Sequence, residues 1–405
     1  ILGAFPDIGP GTRVLCWLPM AHLFQRMMNL TGILCGAQTY FVEDPRDIMA
    51  CLTEVQPSVF VGVPRFYERF YEGIQERVAK VPRWIGDRIR SAFQTGQAYR
   101  RCHRAGSEPS LGLRLRYQLL DRHILSRIRR LVGHRMSFMI TGSAPTAVRI
   151  LEFFDALRLP VLEAYGVSEN AVPMAANTPE CCRFGSVGKP LTENEIRFAE
   201  DGEILVRGPG VFRGYEGGEP GEDCFTPEGY YRTGDIGYCD ADGFLFLTGR
   251  KAEIIKTSTG RRISPARIEA VYAQSPYIEQ VVVIGNGRKY LTGLIVVRRE
   301  ALERRFAGTG VSLPDSVEKL AVMREVREVV QTEIESLGTG LASHERIRAF
   351  AILPAPLSLE RGEMTPTLKL RRDRIAVTYS QLIEELYCQP TLQDVPGIGV
   401  SCTAS

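Results

Sequence analysis

The sequence predicts an α/β protein with an α/β layer of mainly parallel strands, an attached β-rich subdomain and a smaller α+β domain after it. Three observations predict this fold class. Strand-like and helix-like runs alternate near the amino terminus, glycine and proline become frequent after position 172, and an α+β pattern returns after position 251. A chain of 405 residues is also longer than a single domain with one hydrophobic core usually is, so at least two domains are expected.

The first part of the chain combines buried strands with amphipathic helices. Apolar residues recur at helical spacing in the helices, whereas the strands are short continuous apolar runs. Pro82, Gly106 and Pro109 are expected to interrupt the helical stretch. In chain order the predicted elements are a strand at 14–18, a helix at 44–55, a strand at 58–63, basic helices over about 65–133, a strand at 137–141 and a helix containing Leu157.

The later part is first rich in strands and turns and then mixed. Ser264 and Pro265 form a typical helix start, with the serine at the cap and the proline at the first helical position. The predicted elements are strands at 203–207, 244–249 and 253–256, a helix at 265–274, strands at 280–285 and 291–297, a helix at 316–337, a strand at 346–352 and a helix after Arg372.

Composition excludes several classes of protein. A hydrophobic fraction of 44% is ordinary for a globular chain and argues against wholesale disorder. No apolar run approaches the ~20 residues of a membrane-spanning helix. The ten cysteines are scattered without a CxxC pair, so neither structural zinc nor a disulfide framework is expected. A cytoplasmic location is predicted, with a peripheral position at a membrane as a variant.

The net charge of +3 conceals a basic segment. Between Arg77 and Arg135 there are fifteen basic and three acidic residues, a surplus of +12. A solvated helical face is the favoured interpretation, and a surface attractive to anionic membranes is the alternative. A nucleic-acid partner is not expected, because the segment lacks the interleaved aromatic residues of stacking platforms.

Four short segments carry candidate chemistry. One of them, LTGRKAEIIKTSTGRRISPARIE at 247–269, has Arg250 at the end of a strand and Gly260 in a loop whose backbone could approach a ligand closely. YGVSE, at 165–169, follows a strand and combines an aromatic ring, a hydroxyl and a carboxylate. These groups would suit a nucleotide and metal pocket, and a loop without a function is an equal alternative. Asp235, in YRTGDIG, could accept ribose hydroxyls or lie in an exposed turn. Lys369, in TPTLKLRR, could be functional or merely solvated.

Together these segments resemble the adenylate-forming enzymes, which include acyl-CoA synthetases, luciferases and peptide-synthetase adenylation domains. The resemblance is carried by their order along the chain: YGVSE (165–169), YRTGD (231–235), GRKAEIIKTSTG (249–260) and PTLKLRR (366–372). Further segments resemble the long-chain fatty-acyl-CoA synthetase branch: WLPMAHLFQR (17–26), GVPRFYER (62–69), ITGSAP (140–145), GSVGKP (185–190) and GEILVRGPGVFRGY (202–215). The resemblance implies a large adenylation domain over 1–249 and a mobile carboxy-terminal domain over 250–388, with a flexible tail over 389–405.

The resemblance also implies a nucleotide site. Tyr165 would stack on adenine, Asp235 would bind the ribose, Ser168 would contact the α-phosphate and Glu169 would hold Mg²⁺. The implied nucleotide-binding residues are Gly142, Ser143, Ala144, Tyr165, Gly166, Ser168, Asp235 and Arg250.

The implied chemistry has two steps and uses ATP, Mg²⁺ and coenzyme A. A long-chain fatty acid attacks the α-phosphate of ATP to give an acyl adenylate and pyrophosphate, and coenzyme A then displaces AMP. Lys369 and Glu169 would be the catalytic residues, and the loop around Gly260 would take part in the thiol step. His22 matches a position near the acyl site, with a core histidine as an equal alternative.

Two departures from the family pattern qualify this prediction. The family's Ser/Thr/Gly-rich phosphate loop is not found in residues 1–12, so we expect an amino-terminally incomplete large domain with an exposed sheet edge. Ala252 stands where the family usually has a polar pivot residue, which puts the thiol step in doubt. The alternative function is therefore a catalytically impaired or inactive remnant that retains part of the nucleotide and acyl site as a binding or partner-dependent fragment. Homodimerisation also stays open.

Overall fold

The chain forms two compact units, Ile1–Leu247 and Thr248–Ser405. The computed structural model describes residues 8–171, 173–191, 194–216, 224–365 and 370–388. The predicted tail at 389–405 lies outside the described residues. No helix within the described ranges is both long enough and apolar enough to cross a bilayer.

A seven-stranded sheet is the centre of the first unit. Its spatial order is β2-β1-β3-β4-β5-β6-β7, and the first five strands in that order are parallel. All of β3 is buried, as expected for a central parallel strand covered on both faces. The strands are β1 (Arg13–Cys16), β2 (Gln38–Phe41), β3 (Val59–Gly62), β4 (Phe138–Thr141), β5 (Val161–Tyr165), β6 (Ala175–Ala176) and β7 (Lys189–Pro190).

Seven helices accompany this sheet in the described part of the first unit. In α3, Tyr67, Phe70, Ile74 and Val78 are buried at helical spacing. The Tyr67 hydroxyl donates to the Ile140 carbonyl at 2.9 Å, which ties α3 to β4. The helices are α1 (Leu23–Cys35), α2 (Ile48–Val55), α3 (Pro64–Lys80), α4 (Arg83–Arg104), α5 (Leu111–Leu120), α6 (Ser126–Arg129) and α7 (Val148–Ala156).

A second sheet, in the order β11-β10-β9-β8, excludes the exposed-turn alternative for Asp235. The segment around Asp235 is not a turn, because it lies within the nine-residue strand β10. The register shifts between Arg232 and Ile236, and Gly234 has a φ of +69°, so a local irregularity inside a strand replaces the turn. The strands are β8 (Glu195–Phe198), β9 (Glu203–Arg207), β10 (Tyr231–Cys239) and β11 (Leu245–Arg250).

The second unit is an α+β structure with a three-stranded sheet, β14-β15-β16. The predicted helix at 316–337 is wrong in one respect: it is two helices, separated at Val322 and Met323. The strands are β12 (Ile255–Lys256), β13 (Arg262–Ile263), β14 (Ile278–Ile284), β15 (Leu291–Val297) and β16 (Ile347–Ile352). The helices are α8 (Pro265–Tyr272), α9 (Arg299–Phe306), α10 (Val317–Ala321), α11 (Arg324–Gly338), α12 (Arg372–Thr378) and α13 (Ser380–Cys388).

The basic segment is helical, as predicted, and a buried carboxylate fixes it to the rest of the unit. Asp155 on α7 is 3% exposed. Arg100 Nε on α4 donates to its Oδ1 at 2.9 Å, and Arg104 pairs with its Oδ2. Gly96 gives α4 close access to α7, because a Cβ there would lie 3.1 Å from the Ala156 carbonyl oxygen. Part of the positive charge therefore has a structural role.

Replacing Asp155 by Asn should destabilise the protein by about 2–4 kcal/mol, because two partly buried guanidinium groups would lose their counterion. Denaturant unfolding measures this free energy. The matched control is Asp87→Asn, which removes an exposed Asp87–Arg90 pair on α4 and should cost less than about 1 kcal/mol. Equal losses in the two variants would contradict a structural role for Asp155.

Candidate active site

The carboxyl ends of β4 and β5 bring two of the predicted motifs to one edge of the large sheet. The strands are parallel, with Thr141 paired to Glu163, so the loops that follow them leave the sheet side by side. A Cβ on Gly142 would lie 3.1 Å from the Ala164 carbonyl oxygen, so a larger residue would push the first loop away from β5. This edge is where parallel α/β sheets generally bind ligands.

The loop after β4 has a strained backbone and contacts the predicted acyl-side histidine. Ser143 has a φ of +71°, which is unusual for a residue other than glycine. Its Oγ lies 3.4 Å from Nε2 of His22. Ser143 and Ala144 are exposed, whereas Gly142 is buried. The structure thus brings His22 and the predicted adenine-side loop together, with two residues of the loop open to a ligand.

Tyr165 and Asp235 meet directly although they are 70 residues apart in the sequence. The Tyr165 hydroxyl donates to Asp235 Oδ2 at 2.7 Å, and each residue is 7% exposed. Tyr165 ends β5 of the large sheet and Asp235 lies in β10 of the smaller one, so the bond crosses between the two sheets. The predicted adenine and ribose positions therefore form one connected polar group.

Backbone irregularity in β10 positions Asp235. The Gly234 N–H donates to Glu203 Oε1 at 3.2 Å, and the Asp235 N–H donates to Thr233 Oγ1 at 3.1 Å. The positive φ of Gly234 allows this arrangement at little steric cost. Glu203 is 3% exposed and was not singled out in the sequence, where it reads as one polar residue at the start of a strand.

The loop after β5 presents the candidate phosphate and metal residues. Gly166 and Ser168 are exposed, and Glu169 is half-buried. The Tyr215 hydroxyl donates to Glu169 Oε1 at 2.5 Å, and this bond raises the pKa of Tyr215. The described residues contain no group of three or more metal-ligating side chains. A single oriented carboxylate nevertheless suits Mg²⁺, which usually takes one or two carboxylates together with substrate phosphates and water.

Glu163 is a polar residue of this edge that sequence reasoning missed. It is 5% exposed within β5, and its Oε1 accepts from the Thr146 N–H at 3.2 Å and its carboxylate from the Gly185 N–H. Its Oε2 has no hydrogen-bond partner among the described residues. Burial raises its pKa to about 7 against the opposing effect of the two N–H donors. The sequence signal that could have identified this residue is a carboxylate inside the otherwise apolar run VLEAY.

Three of the residues singled out in the sequence belong to the second unit, and a fourth lies outside the residues that the structure describes. Arg250 ends β11 and is exposed. Gly260, with a φ of +79°, lies in an exposed turn that the Gly260 N–H closes onto the Thr257 carbonyl at 2.9 Å. Ala252 is exposed in a short helical turn at Lys251–Glu253. Lys369 lies outside the described residues. The individual roles of all the site residues stay predictions.

The chain belongs to the AMP-binding enzyme family, which matches residues 3–216, and the AMP-binding enzyme C-terminal domain matches residues 252–390. The predicted superfamily and fold class are thus confirmed.

Curated relatives of this chain are fatty-acid–CoA ligases. Long-chain-fatty-acid–CoA ligase FadD15 of Mycobacterium bovis is 32% identical over 378 residues, which cover 93% of this chain and 62% of the relative. Long-chain-fatty-acid–CoA ligase 5 of Rattus norvegicus is 31% identical over 398 residues, covering 93% of this chain and 56% of the relative. The chain therefore spans less than two thirds of the length of these two relatives.

Solved structures show the same fold. The adenylation domain of a carboxylate reductase from Mycobacterium chelonae superimposes with a TM-score of 0.64 at 22% identity, over 94% of this chain and 54% of that one. ATP-bound MatB from Rhodopseudomonas palustris gives 0.63 at 19% identity, over 94% and 62%. At these identities the similarity shows the fold alone.

Replacing Tyr165 by Phe should lower the free energy of unfolding by about 1–3 kcal/mol, because the buried Asp235 carboxylate would lose a donor. Urea denaturation at neutral pH measures the effect. Tyr238→Phe is the matched control, since Tyr238 is 50% exposed and stacks on Phe246. A loss no larger than that of the control would contradict the importance of the Tyr165–Asp235 bond.

Glu163 should make the protein less stable as the pH rises from about 4.5 to about 7. Its pKa is raised from 4.5 to about 7 on folding, so the folded state binds the proton more tightly and the cost of ionisation grows through this window. A shift of this size corresponds to about 3 kcal/mol. Glu163→Gln should remove this part of the pH dependence, as measured by unfolding at pH 5 and pH 7.5. An identical slope in the wild type and the variant would contradict the assignment.

Proposed function

We propose that the protein acts as a long-chain fatty acid–CoA ligase, which activates a fatty acid with ATP and transfers the acyl group to coenzyme A. The similarity over 93% of the chain to relatives named as such ligases carries the proposal. The geometry of the site supports it, since the predicted adenine and ribose residues lie in direct contact at the ligand-binding edge of a parallel sheet.

The nucleotide would bind along the exposed loops that follow β4 and β5. Adenine would lie beside Tyr165, against the open backbone of Ser143 and Ala144, and the ribose hydroxyls would donate to Asp235. Tyr165 holds this carboxylate in place with its hydroxyl, so the acceptor is oriented before the nucleotide arrives. Arg250 would assist in holding the ribose.

The phosphates would be held by the loop after β5. The exposed hydroxyl of Ser168 would donate to an oxygen of the α-phosphate. Glu169 would hold Mg²⁺ through its carboxylate, which Tyr215 already orients. The bound Mg²⁺ would neutralise phosphate charge, as hard divalent cations do in phosphoryl-transfer sites.

The reaction would proceed by in-line attack of the fatty-acid carboxylate on the α-phosphate, with pyrophosphate as the leaving group. Lys369 would bring a compact ammonium charge to the reacting oxygens, which stabilises charge that grows in the transition state. Coenzyme A would then displace AMP, with the loop at Gly260 taking part in this thiol step. His22, whose Nε2 lies 3.4 Å from the Ser143 Oγ, would lie on the acyl side.

Peripheral association with membranes is part of the same proposal. A long-chain acid partitions into bilayers, so an enzyme that meets its substrate there gains access to it at the membrane surface.

Lys369→Ala should lower the rate of palmitate-dependent pyrophosphate–ATP exchange by about 10²–10³-fold, because one preorganised charge would be lost from the transition state. The assay uses the 405-residue chain with ATP, Mg²⁺ and labelled pyrophosphate. Lys319→Ala is the matched control, as Lys319 is an exposed lysine on α10. No exchange by the wild type, or equal exchange by the wild type and Lys369→Ala, would contradict the proposal.

A further inference from the structure

Helix α5 presents a row of leucines to solvent. Leu111, Leu115 and Leu119 are 77%, 63% and 64% exposed. They are spaced four residues apart, so they lie along one line of the helix. On the opposite side Tyr117 is buried and stacks on Tyr99 of α4, with ring centroids 4.1 Å apart. The helix thus uses one face for the core and leaves an apolar face outside, where surface helices normally carry polar residues.

The helical run that contains this apolar row is rich in positive charge. The continuous helical run over 111–132 contains six arginines and a single acidic residue, Asp121. Asp121 is already neutralised by Arg129, whose Nη1 and Nη2 donate to its two oxygens at 2.8 and 3.0 Å. The six arginines are Arg114, Arg116, Arg122, Arg127, Arg129 and Arg130.

Two of these arginines are close to the leucines in the sequence, and their charges are not neutralised by an ion pair within the described ranges. Arg114 is three residues from Leu111 on α5, so it lies beside the leucine row. Arg122 follows the end of α5, three residues after Leu119, in the helical turn at Asp121–Leu125. Both are exposed, and neither forms an ion pair with another residue in the described ranges. Arg116, by contrast, donates to Ser91 Oγ at 2.8 Å.

We propose that this leucine and arginine face of α5 is a docking surface for an anionic lipid bilayer. The leucines would enter the boundary between headgroups and acyl chains, and Arg114 and Arg122 would bind lipid phosphates, as in amphipathic helices that lie in the plane of a membrane. The inference rests on the proposed function for its purpose, which is access to a membrane-dissolved acid, but lipid binding is measured without turnover.

Charge complementarity favours this occupant over two others. A second copy of the same face would bring arginines against arginines, which opposes a symmetric dimer through it. A nucleic acid would match the charge but leave the exposed leucines unburied. A bilayer with anionic headgroups accepts both parts of the surface at once.

Vesicle flotation with the full chain tests the proposal, using phosphatidylcholine vesicles with and without 30% phosphatidylglycerol. The wild type should bind the anionic vesicles about tenfold more tightly. Leu111→Ser/Leu115→Ser/Leu119→Ser and Arg114→Glu/Arg122→Glu should each lose about tenfold of this affinity. Equal binding to both vesicle types, or unchanged binding by these variants, would overturn the proposal.

Matched variants in the second unit control for surface hydrophobicity and charge. Val322→Ser/Val377→Ser removes side chains that are 84% and 68% exposed, and Arg304→Glu/Arg305→Glu reverses two exposed charges on α9. Both should bind within about twofold of the wild type. Losses equal to those of the α5 variants would show a general surface effect and overturn the proposal.

A fluorescent variant keeps the test decisive if the leucine variant fails to fold. The emission of Leu115→Trp should shift to shorter wavelength on anionic vesicles and be quenched by brominated acyl chains, whereas Val322→Trp should show neither change. The assignment would be overturned by a Leu115→Trp spectrum that vesicles leave unchanged. It would also be overturned by a concentration-dependent dimer that the leucine variant abolishes, or by retention of DNA at 0.15 M salt in place of vesicle binding.

Discussion

The hydrogen bond from Tyr165 to Asp235 joins the two sheets of the first unit at the candidate site. It connects the end of β5 with the irregular middle of β10, and both partners are almost fully buried. A charged oxygen in such surroundings is costly unless donors reach it, so the bond constrains the relative position of the two strands. The nucleotide-binding geometry proposed above depends on this constraint, because it fixes where a ribose can find its acceptor.

Other polar groups at the same edge are also committed to structure before any ligand binds. Glu163 accepts from the loop after β4 and from Gly185, so one buried carboxylate holds two segments beside β5. Tyr215 holds Glu169 in the same way in the loop after β5. A site whose acceptors are oriented in advance loses less free energy to ordering when substrates arrive. These contacts also explain how long, exposed loops can present functional groups reproducibly.

Much of the fold follows from local sequence pattern, and its exceptions have physical causes. Strands 203–207 and 291–297 have the predicted bounds. The first run ends at Gly208 and Pro209, and the second ends at the charged pair Arg298 and Arg299. Gly234 and Asp235 favour turns locally, which keeps an exposed turn open as an alternative in the sequence. Pairing with β9 overrides that preference and places both residues within strand β10. Helix α1 and strand β2 are not predicted, because α1 buries the polar residues Gln25, Asn29 and Thr31 and β2 has no buried residue. The sequence motifs of the site were visible, but the buried contacts of Glu163 and Glu203 depend on tertiary packing.

A double-mutant cycle on acyl-adenylate affinity tests most directly whether Tyr165 and Asp235 act as one nucleotide-binding unit. Calorimetry would measure the binding of a non-hydrolysable palmitoyl-adenylate analogue to the wild type, Tyr165→Phe, Asp235→Asn and the double variant. If Tyr165 acts by orienting Asp235, each single change weakens binding and the double variant loses clearly less than the sum of the two free-energy losses. Strictly additive losses, or unchanged affinity in Asp235→Asn, would contradict this account.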